Sequence, residues 1–142
     1  MSLDLEALEV SFDLVAPRGD ELMDVFYARL FEAAPAVRPL FAGTDLRRQK
    51  AMLLSALVLV RKSLRDLDAI VPTLHKLGAC HVHYGARPEH YPLVAAVLIA
   101  SMTEIAGPAW LPEYELAWAT ALHVVAGVML DGAAAAELDI AA

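Results

Sequence analysis

Five histidines, His75, His81, His83, His90 and His123, are the residues of this 142-residue chain best suited to chemistry, and all lie in its second half. No Gly-rich phosphate loop, His-Glu-x-x-His, Gly-x-Ser-x-Gly or pair of carboxylates on an apolar face accompanies them, so nucleotide, zinc-protease and serine-hydrolase chemistry lack their usual groups. At helical spacing His81 shares a face with Leu74, Leu77 and Gly78, whereas His75 and His83 are turned away from it. An imidazole there is either a core histidine satisfied by a backbone carbonyl or a neutral metal ligand. One histidine is too few for a protein-built zinc site, so the second reading needs a metal carried by a larger cofactor with donors of its own. Cys80, about 100° around the same helix, does not share that direction and reads as a buried, inert thiol.

The elements that must position His81 are helical. Leu5, Leu8, Phe12 and Val15 recur at helical spacing, and Pro17-Arg18-Gly19 separates them from a second stripe of Leu22, Val25, Phe26 and Leu30. Pro35 to Thr44 reads as an irregular corner turning Leu40 and Phe41 inward. Asp45 opens a long helix with Gln49, Leu53, Ala56, Leu57 and Val60 on one face. Pro72 suits the first turn of the helix bearing His81, and Gly85 offers its stop. Another helix follows Pro88, with Tyr91, Val94, Ala95, Leu98, Met102 and Ile105 inward, until Gly107-Pro108 breaks it. The last is predicted from about Pro112 to Leu130, leaving 131–142 as an alanine-rich, frayed tail. No stretch alternates with period two, so the fold class is all-α: one domain over 1–142, with unequal helices packed at angles around a pocket.

Composition narrows the partners. The formal charge of −7, with only 11 Lys and Arg, opposes binding to nucleic acid or to acidic membrane surfaces. A mean hydropathy of +0.51 is high, yet the apolar runs look interrupted before bilayer-spanning length; Ala51 to Val60, for example, is hemmed by Arg47, Arg48, Lys50, Arg61 and Lys62. The apolar excess is therefore expected to face inward. A single cysteine and an acidic N-terminus suggest a reducing cytoplasm and no targeting segment.

The order of short motifs resembles a bacterial single-domain globin, similar to the globin module of flavohaemoglobins and to Vitreoscilla-type haemoglobins, over about residues 3 to 131. The motifs are Val25-Phe26-Tyr27-Ala28-Arg29-Leu30-Phe31, Arg38-Pro39-Leu40-Phe41, Gln49 with Leu53, Pro72 leading to His81, Arg87-Pro88-Glu89-His90-Tyr91-Pro92-Leu93-Val94, and Ala117-Trp118. The resemblance implies a globin fold holding haem b, with His81 as the proximal iron ligand and Phe41 wedged against the ring. Tyr27 and Gln49, with Leu53, would face the distal side. Leu57, Leu77, Val94 and Leu98 would line the ring and Tyr91 would stand near the proximal imidazole. A phenol and an amide can donate hydrogen bonds to a polarised diatomic ligand without burying a charge. With no histidine before residue 75, the distal helix cannot supply a second imidazole.

The expected ligands are dioxygen, carbon monoxide and nitric oxide. Reversible gas binding is the leading function, and nitric oxide dioxygenation or peroxidase-like chemistry with a separate reductase is the alternative. Tyr91 matches a tyrosine that the family pairs with a glutamate to increase electron donation by the proximal histidine; the glutamate position falls on Ala133 and a neighbouring family tyrosine on Leu122. That departure favours ligand binding over the enzymatic readings. Within this length no flavin or output domain is expected to fit, and the chain is expected to be a monomer or homodimer. Arg87, Lys50 or His83 could approach a haem propionate; His90 and His123 read as surface or packing residues.

Overall fold

The computed structural model describes the backbone of residues 3–141 and the side chains of residues 3–138. Six α-helices follow one another, with no strand among the described residues: α1 Leu5–Val15, α2 Gly19–Ala33, α3 Leu46–Lys62, α4 Val71–His83, α5 His90–Ala106 and α6 Pro112–Ala141. Short 3₁₀ turns, including Pro35–Phe41, join several of them.

The boundaries have local causes. Asp4 caps α1 by accepting from the Ala7 amide at 3.1 Å, and Asp45 caps α3 by accepting from the Arg47 and Arg48 amides at 3.0 and 3.4 Å, which satisfies amides that a helix start leaves unpaired. Pro72 occupies the first turn of α4. Gly85, with φ of 86°, follows α4, and Gly107, with φ of 59°, ends α5; glycine populates such left-handed backbone without steric cost.

The expected stop at Leu130 is wrong: α6 continues to Ala141. The apolar stripe does fade there, but alanine has the highest helix propensity and carries the turns onward.

Leu8, Leu22, Met23, Met102 and Trp118 are almost completely buried and form the centre of the core. The Trp118 indole N–H donates to Ser11 Oγ at 2.8 Å, and Ser11 Oγ donates to the Leu8 carbonyl at 3.2 Å, so the polar groups that tie α6 to α1 are paired inside the core.

Two expectations about apolar residues need correction. His90–Ala109 and Pro112–Leu138 are each long and apolar enough to cross a membrane, by length and composition alone. Each gives one face to the core: α5 buries Leu98 and Met102, and α6 buries Ala117, Trp118 and Ala121. Yet only 33% of the α5 window and 17% of the α6 window are buried, so much of the apolar excess faces outward.

Candidate functional site

His81 is half-buried on α4. Its Nδ1 lies 2.6 Å from the Leu77 carbonyl oxygen. A carbonyl only accepts, so Nδ1 bears a proton, and in the neutral ring the lone pair is on Nε2. That is the tautomer a ligating histidine needs, with the other ring nitrogen held in place by a hydrogen bond. The Tyr84 and Tyr91 rings stand 6.0 and 6.4 Å from the imidazole, centroid to centroid. Burial pushes the Tyr91 phenol above the usual tyrosine value.

The position of α4 is fixed by backbone contact. A methyl group on Gly78 would collide with the Met129 carbonyl of α6, and one on Gly132 would collide with the His75 carbonyl of α4. Two glycines one turn apart along the crossing thus let the helices meet main chain to main chain, and the turn that bears His81 rests on α6. Gly132 escaped the sequence reading because a glycine within an alanine-rich tail looks like low complexity.

Tyr27, only 3% exposed, projects from α2 into a group of aromatic rings. Its centroid lies 4.9 Å from Phe26, 6.0 Å from Phe31 and 5.8 Å from Phe41, and Phe31 and Phe41 meet edge-on at 5.4 Å. Burial raises the phenol pKa above the ordinary value, and the neighbouring Gln49 side chain draws it partly back. The structure thus brings together Tyr27, Gln49 and Phe41, three residues far apart in the chain. Lys50 forms an ion pair with Asp24 at 3.0 Å, which joins α3 to α2 one residue from Gln49 and one turn from Tyr27. Phe31 and Arg38, whose guanidinium carbon lies 4.7 Å from the centre of the Phe31 ring, were not singled out as site residues. Their only sequence signal was their place in the aromatic and corner motifs.

The apolar positions divide by depth. Leu53, Leu77 and Val94 are half-buried, whereas Leu57 and Leu98 are packed into the core. His75, His83 and His123 are exposed, and His90 Nδ1 accepts from the Arg87 amide at 3.0 Å, capping the turn before α5. No group of three or more His, Cys, Asp or Glu side chains among the described residues could hold a metal ion. A metal at His81 therefore has to bring most of its own ligands. The residues fit haem: one imidazole on α4 whose Nδ1 is already engaged and whose Nε2 is not, and two uncharged hydrogen-bonding groups, backed by aromatic rings, on α2 and α3.

The globin family model matches residues 24–129. The chain belongs to the globin family. This globin is similar to a flavohemoprotein of Bacillus subtilis, 26% identical over 128 residues that make up 89% of this chain and 32% of that protein. It therefore spans about a third of the length of the curated relatives it matches. Its fold is that of an engineered carbene transferase from Rhodothermus marinus, with a TM-score of 0.88 at 24% identity over 97% of this chain and 96% of the other. A bacterial globin from Campylobacter jejuni superimposes with a TM-score of 0.79 at 24% identity, over 91% and 93% of the two chains.

Proposed function

We propose that this globin holds haem b through His81 Nε2 and reversibly binds dioxygen, carbon monoxide and nitric oxide beside Tyr27 and Gln49. The carrying observation is the His81 hydrogen bond: Nδ1 is engaged by the Leu77 carbonyl, so Nε2 is the nitrogen left to ligate. When bound, haem supplies an iron atom with a position open to diatomic gases.

The chain's own groups determine how such a ligand is held. Tyr27 is a neutral donor at ordinary pH, and burial, which raises its pKa, extends that state to more alkaline solution. Gln49, beside Tyr27, offers a second uncharged donor. Phe31 and Phe41 stiffen that wall through edge-on contacts, and Leu53, Leu77 and Val94 supply apolar surface that disfavours water.

A carboxylate bonded to the proximal histidine would increase its donation to iron, the feature that favours oxygen-bond cleavage. His81 is instead bonded to an uncharged carbonyl, and Ala133 offers no acid. This supports binding rather than peroxidase-like chemistry. A separate flavin reductase is the proposed source of electrons, on the strength of the flavohemoprotein relatives.

Absorption spectra of the purified chain in ferric, ferrous and carbon monoxide forms test the reading, together with titration by haemin. Uptake of one haemin per chain and a carbon monoxide spectrum typical of a histidine-ligated haem are expected. A colourless chain that takes up no haemin overturns it.

A further inference from the structure

The two aromatic neighbours of His81 differ in their access to water. The Tyr84 ring meets the imidazole edge-on, with centroids 6.0 Å apart and planes inclined by 64°, and the Tyr91 ring lies at 6.4 Å. Tyr91 is half-buried, whereas Tyr84 is 62% exposed and stands beside Gly85, which has no side chain to screen it. Of the remaining tyrosines, Tyr27 is 3% exposed and Tyr114 is half-buried against Trp110, at 5.6 Å between centroids. Among the four tyrosines, Tyr84 alone combines a ring against the imidazole with open access to solvent. The gas site makes no use of it.

We propose that Tyr84 is a modification site: the phenol that is oxidised when the haem-loaded chain meets hydrogen peroxide, ending in a carbon–carbon bond to the same residue of a second chain. The inference rests on His81 holding haem. Removing an electron from a phenol leaves a stable neutral radical only if the hydroxyl proton departs as well, so the reacting tyrosine needs both an electron route to the haem and an acceptor for its proton. At Tyr84 the route is one imidazole in edge contact with the ring, and the acceptor is bulk water. The Tyr27 ring is enclosed by Phe26, Phe31 and Phe41, and its polar neighbour, Gln49, is an amide and not a base. Cys80 is half-buried and points about 100° around α4 from His81. Trp118 is deep in the core with its N–H bonded to Ser11.

The overall reaction balances. Haem, when bound, supplies the centre at which peroxide is reduced. The O–O bond of the peroxide breaks and takes up two electrons and two protons, giving two waters. Each of two Tyr84 phenols gives one electron toward the haem and one proton to solvent. The two rings then join at carbons beside their hydroxyls, and the hydrogens displaced from those carbons restore the hydroxyl groups. This is a single oxidation of the chain and not a catalytic cycle, and it needs only an encounter between chains, with no standing association.

The haem-loaded chain mixed with hydrogen peroxide tests the assignment, with products read on a denaturing gel, by dityrosine fluorescence and by peptide mass spectrometry. A covalent pair at twice the 15.3 kDa chain mass is expected, with its bond mapped to Tyr84 and with none formed if haem or peroxide is omitted. Tyr84→Phe should abolish the pair and leave the haem spectrum unchanged, whereas Tyr91→Phe should retain it. Exposure alone is tested by adding Leu116→Tyr to Tyr84→Phe: Leu116 is 71% exposed but lies on α6, and no cross-link should return. Cross-linking that survives Tyr84→Phe, oxidation mapped to Cys80 or Tyr91 in place of Tyr84, or full restoration by Leu116→Tyr overturns the proposal. A chain that takes up haemin and gives no cross-link overturns this proposal alone; one that takes up no haemin overturns the gas-binding reading with it.

Discussion

Around Tyr27, three aromatic centroids lie within 6.0 Å and the Gln49 amide stands beside the phenol; around His81, Nδ1 donates to the carbonyl one turn back on the same helix. The first wall is assembled from α2, α3 and the 3₁₀ turn between them, and its donors are held by long-range contacts. The second is local to α4, and what makes it rigid lies behind it, in the contact with α6. Under the proposed function, ligand retention is assigned to the Tyr27 wall and cofactor retention to the α4–α6 crossing.

Substitutions at the two walls should therefore separate in kind as well as in size. The largest effect is expected for His81→Ala, which removes the nitrogen that would hold the metal. Stoichiometric haemin uptake and its Soret band should be lost and then restored by added imidazole; retention without imidazole would transfer the ligand role to another residue. Tyr27→Phe removes a donor to a polarised ligand, worth about 1.5–3 kcal/mol, and should speed dioxygen dissociation by about tenfold or more. An unchanged off-rate in stopped flow would remove the tyrosine from the ligand's surroundings.

The crossing can be probed with one substitution made twice. Gly132→Ala, against the His75 carbonyl, should cost about 1–3 kcal/mol by overpacking and hasten haem loss to a scavenging apoglobin. Gly127→Ala on the same helix meets open space and should stabilise by roughly 0.5–1 kcal/mol, as alanine does in a helix interior. Denaturant midpoints that move in the same direction would remove the crossing as the cause.

Tyr27 and Tyr91 are both neutral below their raised pKa values, so the stability they contribute is complete below the free tyrosine value near pH 10. As pH climbs above that value the unfolded chain releases protons that the folded chain retains, and stability falls. Denaturant unfolding compared below and above pH 10 should show the loss, reduced in Tyr27→Phe. The smallest change is expected from Tyr91→Phe. No hydrogen bond joins Tyr91 to His81 among the described residues, so dioxygen dissociation should shift by less than about twofold. A larger shift would show that the proximal side does tune the ligand.

Most of the helices were legible because the apolar spacing of α1 to α5 keeps to the helical period and Asp45, Pro72 and Gly107 mark boundaries by their own backbone chemistry. His81 stood out because its apolar neighbours recur at the same spacing. Three features were not legible. The extension of α6 rests on alanine propensity without a stripe. The Gly78 and Gly132 contacts join segments distant in sequence, and a glycine does not announce what lies against it. The outward apolar face of α5 and α6 was misread because hydropathy reports how much apolar surface a chain has, and not which side of a helix it is on.

The bond from His81 to Leu77 spans a single turn, so the imidazole's one hydrogen bond among the described residues is to the helix that carries it. Any slide or tilt of that helix passes to the nitrogen proposed to hold the metal, with no hydrogen bond from another helix to absorb it. Mechanical play in the floor of the site is thus set by how firmly two main chains abut, and a distant methyl group can loosen the grip on a cofactor it never touches.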